Sequence, residues 1–264
     1  MSFIDHNQTY FKGLLERIPP EKRSSVYVLR CSNEGLKSLS PGINQLISLK
    51  ELNCYGNQLT NLPREIGQLK CLIILDCQNN QLVTLPPEIG QLICLIELKC
   101  YGNKMTSLPP EIGQLKCLTR LDCSDNQLSG LPHEIGQLIC LVKLNCSENY
   151  LTNLPPEIGH LKHLDELKCD GNQITKLPPE IGLLKKLFIL DCSRNKLLSL
   201  PDEIGHLSHL WRVNCFGNQF TEIPDKLKSF FISKTLIYGG NQVDPDKSRS
   251  LKRLKLDDPR YEWA

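Results

Sequence analysis

The sequence predicts an α/β solenoid, a curved stack of short coils with a concave parallel β-sheet of about ten strands. Three observations predict it. Asn57, Asn80, Asn103, Asn126, Asn149, Asn172, Asn195, Asn218 and Asn241 recur with every step equal to 23 residues. Cys31, Cys54, Cys77, Cys100, Cys123, Cys146, Cys169, Cys192 and Cys215 keep the same beat. Apolar rows such as Leu52/Leu75/Leu98/Leu121 and Ile66/Ile89/Ile112/Ile135 hold that register as well. A fixed period of this length marks one small unit stacked on copies of itself. A single unit has no way to bury its own apolar row.

In chain order, the first element is a cap. Phe11, Leu14, Leu15 and Ile18 follow the i, i+3, i+4, i+7 spacing of an amphipathic helix, which must stop before Pro19 and Pro20. Residues 1–25 are expected to cover the raw face of the first coil. The solenoid then runs over 26–243, and one unit serves as template. Leu72, Leu75 and Cys77 alternate with Ile74, Asp76 and Gln78, the period of a strand with one buried face. Asn80 ends the strand, where its amide is expected to satisfy backbone groups left without ladder partners. Pro86, Pro87 and Glu88 follow, and they exclude a central strand while favouring the start of a helical turn. Each unit is therefore strand, tight turn and short helical or irregular return, with neighbouring strands parallel. Buried aliphatic side chains contribute roughly 1.5–3 kcal/mol each to this stack. A last helix is expected from Asp246, facing Leu251 and Leu254 back onto the final coil, so 244–264 form a second cap and tail.

The pattern Leu-x-x-Leu-x-Cys-x-x-Asn-x-Leu-x-x-Leu-Pro-x-Glu-Ile-Gly-x-Leu resembles the leucine-rich repeat. It is similar to the 23-residue form of Ras-pathway scaffolds, plant intracellular Ras-group proteins and bacterial cytosolic or effector proteins. The resemblance covers about Val26 to Val243 and implies a horseshoe that binds other proteins on its concave side. Three departures stand out: cysteine where an aliphatic is usual, Glu34 at the asparagine position of the first unit, and Tyr238 at the cysteine position of the last strand.

The totals exclude several classes. A net charge of +2 points to neither a polyanion nor a polycation as partner. The start of the chain shows no basic segment followed by an apolar stretch, and no apolar run approaches a membrane span, so neither a signal peptide nor a membrane span is expected. The thirteen cysteines form two ladders, the second being Cys71, Cys94, Cys117 and Cys140. That regularity is a packing pattern, and free thiols fit a reducing compartment, the cytoplasm of the producing cell or of a host cell. The first ladder occupies a core position, where cysteine acts as a small hydrophobe. The second shares its position with Ser48, His163, Lys186 and His209, so it is expected at the surface.

Other candidates have plainer explanations. A straight row of thiols does not converge on a metal. His160 with His163 and His206 with His209 read as surface substitutions, and the stripe Glu65 to Glu203 as turn-start residues. Lys247, Arg249, Lys252, Arg253 and Lys255 read as the solvated side of the final helix. No phosphate loop, nucleophile elbow or catalytic triad is present in the sequence, so no catalytic residue, metal or cofactor is expected.

Function is expected on the outward strand positions, which vary from unit to unit while the core does not. Including the position before each asparagine, this surface carries nine acids and seven bases, which disfavours nucleic acid. Opposite charges alternate there, as in Asp76–Lys99–Asp122 and Glu97–Arg120. Aromatic and arginine residues anchor protein interfaces. Tyr55 and Tyr101 fall on one row, and Arg120 lies on the same face. Trp211, Arg212 and Phe216 cluster near the C-terminal end with Phe188 beside them. These seven residues are the expected contacts of a protein partner on the concave surface. The chain is read as a monomeric, non-enzymatic scaffold or adaptor, and the resemblance extends this to a bacterial effector acting in a host cell. The alternatives are a substrate-recognition subunit for ubiquitin ligation and a thiol redox sensor.

Overall fold

The computed structural model describes residue 15, residues 18–221, 235–237 and 239–242. Ten three-residue strands follow one another: β1 (Val28–Arg30), β2 (Glu51–Asn53), β3 (Ile74–Asp76), β4 (Glu97–Lys99) and β5 (Arg120–Asp122) in the first half. β6 (Lys143–Asn145), β7 (Glu166–Lys168), β8 (Ile189–Asp191), β9 (Arg212–Asn214) and β10 (Thr235–Ile237) complete the sheet. Their order in the sheet is their order in sequence, and all pairs are parallel. The register is that of the repeat: Leu75 faces Leu98, and Leu98 faces Leu121. Each coil is numbered below by its strand.

Between strands the chain returns through five-residue 3₁₀ turns such as Pro87–Gln91 and Pro110–Gln114. Proline stands at the first helical position, where its missing N–H leaves nothing unpaired, and glutamate follows in the first turn. The leucine rows, the isoleucine of each return and the first cysteine ladder are buried in one continuous core. Each strand is bonded only to its neighbours in the sheet, so the core has no centre and runs the length of the arc.

The asparagine ladder closes each coil. Asn103 accepts the Leu82 amide at Oδ1 (2.9 Å) and shares its Nδ2 among the carbonyls of Cys77, Cys100 and Tyr101. Its side chain thus ties coil 4 to coil 3, and Asn80, Asn126, Asn149, Asn172, Asn195 and Asn218 repeat the arrangement. Where coil 1 has Glu34 instead, its backbone amide still donates to Asn57 Oδ1 at 3.0 Å. The buried cysteines contribute more than volume. Cys100 Sγ donates to the Asp122 carbonyl at 3.3 Å, the same oxygen its backbone amide reaches.

The residue before each asparagine has a left-handed backbone in every coil. Asn33, Asn79, Asp125, Glu148 and Arg194 share it with Gly56, Gly102, Gly171, Gly217 and Gly240. At the N-terminal end a separate single helical turn, Pro20–Arg23, begins at Pro20, since proline is acceptable at the first helical position. Arg23 anchors the entry by donating to the carbonyls of Ile18 (3.0 Å) and Leu15 (2.6 Å). Ile18 is buried and Leu15 packs on the core. Phe11 and Leu14 lie outside the described residues, as do Tyr238, the expected helix from Asp246 with its basic side chains, and the tail.

Candidate functional site

Strand positions alternate, so within each three-residue strand the central side chain enters the core and the two flanking ones line the concave face. Glu97 and Lys99 flank Leu98 in this way, and Arg120 and Asp122 flank Leu121. Charge is organised around two glutamates. Glu97 meets Lys99 of its own strand (3.5 Å) and Arg120 of β5 (3.9 Å). Glu166 meets Lys168 of its own strand and Lys143 of β6, both at 2.8 Å. Burial pulls the Glu166 carboxyl upward, but hydrogen bonds and charge from Lys143 and Lys168 outweigh it and hold the group below its ordinary value. Lys99 therefore pairs along its strand, not across to Asp76 as simple alternation suggests. Residues two apart on a strand share a face and compete with cross-strand neighbours.

These side chains enclose a shallow cavity of about 370 Å³ over β4 to β7, bordered also by Tyr101 and Asn145. Tyr55 and Tyr101 are half-buried on the row that follows the strands. Burial first, then the Asp76 and Asp122 carboxylates, raises the Tyr101 phenol. Beneath it Asp76 is only 6% exposed, and desolvation pushes its carboxyl up. Asp122 is better served, accepting from Ser124 Oγ at 2.6 Å and Asn145 Nδ2 at 3.2 Å.

Near the far end, Phe188 and Trp211 stack in parallel, 5.7 Å between ring centroids, and remain 41% and 39% exposed. The expected aromatic cluster is divided by the strand it flanks. Phe188 and Trp211 precede β8 and β9, whereas Phe216 follows β9 and lies against the Gly239–Gly240 backbone. Arg212 is exposed on the strand between these two ends. All seven expected contact residues thus reach solvent at least in part; Tyr101 and Arg120 border one cavity, and Phe188, Trp211 and Phe216 are not in its lining.

The second cysteine ladder, Cys71, Cys94, Cys117 and Cys140, is exposed, one thiol shortly before each of β3 to β6. The first ladder is buried, and burial followed by the nearby Glu34 charge pushes the Cys31 thiol up to about 12. Among the described residues no three histidine, cysteine or acidic side chains converge as metal ligands. Also among them, no helix is long and apolar enough to cross a membrane. His163 Nδ1 lies 3.1 Å from Lys186 Nζ, and His209 Nδ1 lies 3.0 Å from the Lys185 carbonyl.

Stacked parallel coils, a polar ladder at each turn and a variable inner surface define a solenoid repeat protein. The chain carries leucine-rich repeats: residues 98–172 match the family model for a leucine-rich repeat region, and residues 48–69 and 71–92 match that of the leucine-rich repeat. Among solved structures, it is 32% identical to the plant peptide hormone receptor RGFR1 in complex with RGF2, with a TM-score of 0.73. That match covers 83% of this chain and 36% of the receptor chain. It is 31% identical to the Arabidopsis thaliana receptor kinase ectodomain GASSHO1/SCHENGEN3 in complex with CASPARIAN STRIP INTEGRITY FACTOR 2, over 78% of this chain and 26% of that one (TM-score 0.68). The functional domain of InlJ from Listeria monocytogenes, described as including a cysteine ladder, is 26% identical over 85% of this chain and 56% of that one (TM-score 0.55). The chain thus spans well under two thirds of each of these proteins. No curated protein matches it in sequence.

Proposed function

We propose that the chain is a non-enzymatic scaffold or adaptor whose concave face holds a protein partner. The observation that carries this reading is the stacked pair Phe188–Trp211, exposed beside Arg212. Large aromatic side chains and arginine are the residue types that dominate interface energetics once desolvated. A stack left in water on the rim of a sheet adds nothing to a core that is already closed. The plant peptide hormone receptor RGFR1 in complex with RGF2, and the GASSHO1/SCHENGEN3 ectodomain in complex with CASPARIAN STRIP INTEGRITY FACTOR 2, support a binding role for this architecture. Thirteen free thiols support a reducing compartment, the cytoplasm of the producing cell or of a host cell, and the chain acts there as a monomer.

Pull-down from lysate with Tyr101→Ala and Trp211→Ala tests the reading. A genuine partner is one whose capture falls by about tenfold or more in the Trp211 variant, the loss expected for an interface anchor. Capture unchanged by both substitutions, with both variants folded, removes the proposal.

The four exposed thiols favour one second reading, a thiol redox sensor. Adjacent coils lie about 5 Å apart, within the span of a disulfide. Mild peroxide followed by mass spectrometry would show Cys71–Cys94 or Cys117–Cys140 linkage if this holds, and four unmodified thiols if it does not.

A further inference from the structure

Two pairs of like charges sit on the same two coils, at opposite ends of β5 and β6. Arg120 and Lys143 occupy directly opposing register positions, with side chains 60% and 49% exposed. Like charges placed so are destabilising. They are drawn apart by Glu97 on one side and Glu166 on the other, which leaves the space between them open. Five residues further along each strand stand Asp125 and Glu148, again neighbours on adjacent coils. Both have left-handed backbones, φ 49° and 50°, at a position where five of the ten coils use glycine. That conformation disfavours a residue such as glutamate. Asp125 has no ion pair among the described residues, and Glu148 and Asp170 share the single guanidinium of Arg194, each at 2.5 Å. Glu148 reaches Arg194 across Gly171, where a Cβ would stand 2.5 Å from its carboxyl carbon.

Neither like-charge contact helps the fold, although Arg120, Lys143 and Glu148 each have an ion-pair partner on the far side. The basic end repels itself, and the acidic end adds backbone strain to repulsion. The floor between them is already fixed by Asp122, Ser124 and Asn145 hydrogen-bonding one another. We infer that coils 5 and 6 hold an extended segment of a protein partner carrying two opposite charges, its carboxylate between Arg120 and Lys143 and its basic side chain against Asp125 and Glu148. The ends are five residues apart on this chain, so an extended partner segment at about 3.3 Å per residue places its two charges about four or five residues apart. This inference rests on the concave face being the binding face and adds the chemistry and direction of what lies there.

A random library of 12-residue peptides displayed on phage, selected in parallel on the wild-type chain and on folded R120Q/K143Q, D125N/E148Q and W211A variants, is the test. Peptides enriched on wild type are expected to carry Asp or Glu four or five positions from Lys or Arg. They are expected to bind R120Q/K143Q and D125N/E148Q about tenfold more weakly, as for loss of a close charge pair at an interface. The reversed variant R120E/K143E is expected to select a base in place of the acid. Peptides that need Trp211 but ignore both charge pairs overturn this inference and leave the binding reading standing. Enrichment indifferent to all variants, or no enrichment, removes both.

Discussion

Asp76 carries a charge that its surroundings oppose. It is nearly buried under the tyrosine row, and Gln78 supplies its two hydrogen bonds, both at 3.3 Å. Desolvation outweighs these bonds and the Lys99 charge, so the folded-state pKa lies above the unfolded value of about 3.9. The native state therefore binds more protons than the unfolded state between those two values, and stability falls as pH rises through that window. At neutral pH the full penalty is present. Asp76→Asn keeps an acceptor for the Gln78 amide and places there the residue that coils 2, 6 and 9 already use, Asn53, Asn145 and Asn214. The variant is expected to unfold at higher denaturant than wild type at pH 7, by less than about 1 kcal/mol after solvent screening. Its advantage should disappear as pH drops below about 3.9. An advantage that persists at pH 3 would show that charge is not the cause.

At the level of the return turns, close approach explains a glycine that charge and hydropathy do not. A Cβ on Gly113 would stand 2.6 Å from the Glu134 carbonyl oxygen and 2.8 Å from the Glu134 Cβ, on the next coil. These atoms belong to or adjoin the backbone, so relief requires the two coils to separate. Gly113→Ala is expected to destabilise by about 1–3 kcal/mol, the range for overpacking. Gly130→Ala is the control, because nothing lies within 4 Å of its added methyl. It should be neutral or stabilise by up to about 1 kcal/mol. Equal effects of the two in chemical denaturation would contradict the stacking account. Strands, returns and the asparagine ladder are legible in the sequence because the same physical demand recurs coil after coil at one spacing. The left-handed position before each asparagine is written there too, in Gly56, Gly102, Gly171, Gly217, Gly240, Asn33 and Asn79. Asp125, Glu148 and Arg194 at the same place obscure it. The concave face is less legible: alternation places Glu97 and Lys99 on it, but rotamers decide that Lys99 turns to Glu97 and not to Asp76. Likewise, adjacency in sequence groups Trp211 with Phe216, while the intervening strand carries them to opposite ends.

Across the whole molecule, the backbone of each coil is hydrogen-bonded to the one before and the one after, and only the Arg194–Glu148 ion pair among those described reaches one coil further, so length and stability are separable from fold. Removing residues 118–140 deletes one 23-residue period and joins Cys117 to Leu141, the same Cys–Leu step that both junctions have now. β4 would then face β6 with Leu98 against Leu144, Asn149 would take over the Cys100 carbonyl from Asn126, and Gly113 would meet Glu157 in place of Glu134. Every replaced contact is of the same type. The shortened chain is expected to fold with an unchanged type of circular dichroism spectrum and a cooperative transition at lower denaturant, since one coil and one interface are lost. Deleting 118–128 alone breaks the register, moves core side chains to the surface and should leave no cooperative transition. The 23-residue deletion also removes Arg120 and Asp125, so a concave-face partner should be lost while the fold survives. Failure of the 23-residue deletion to fold would mean that the coils are not interchangeable units. The independence of the inner surface from the core would then be untenable.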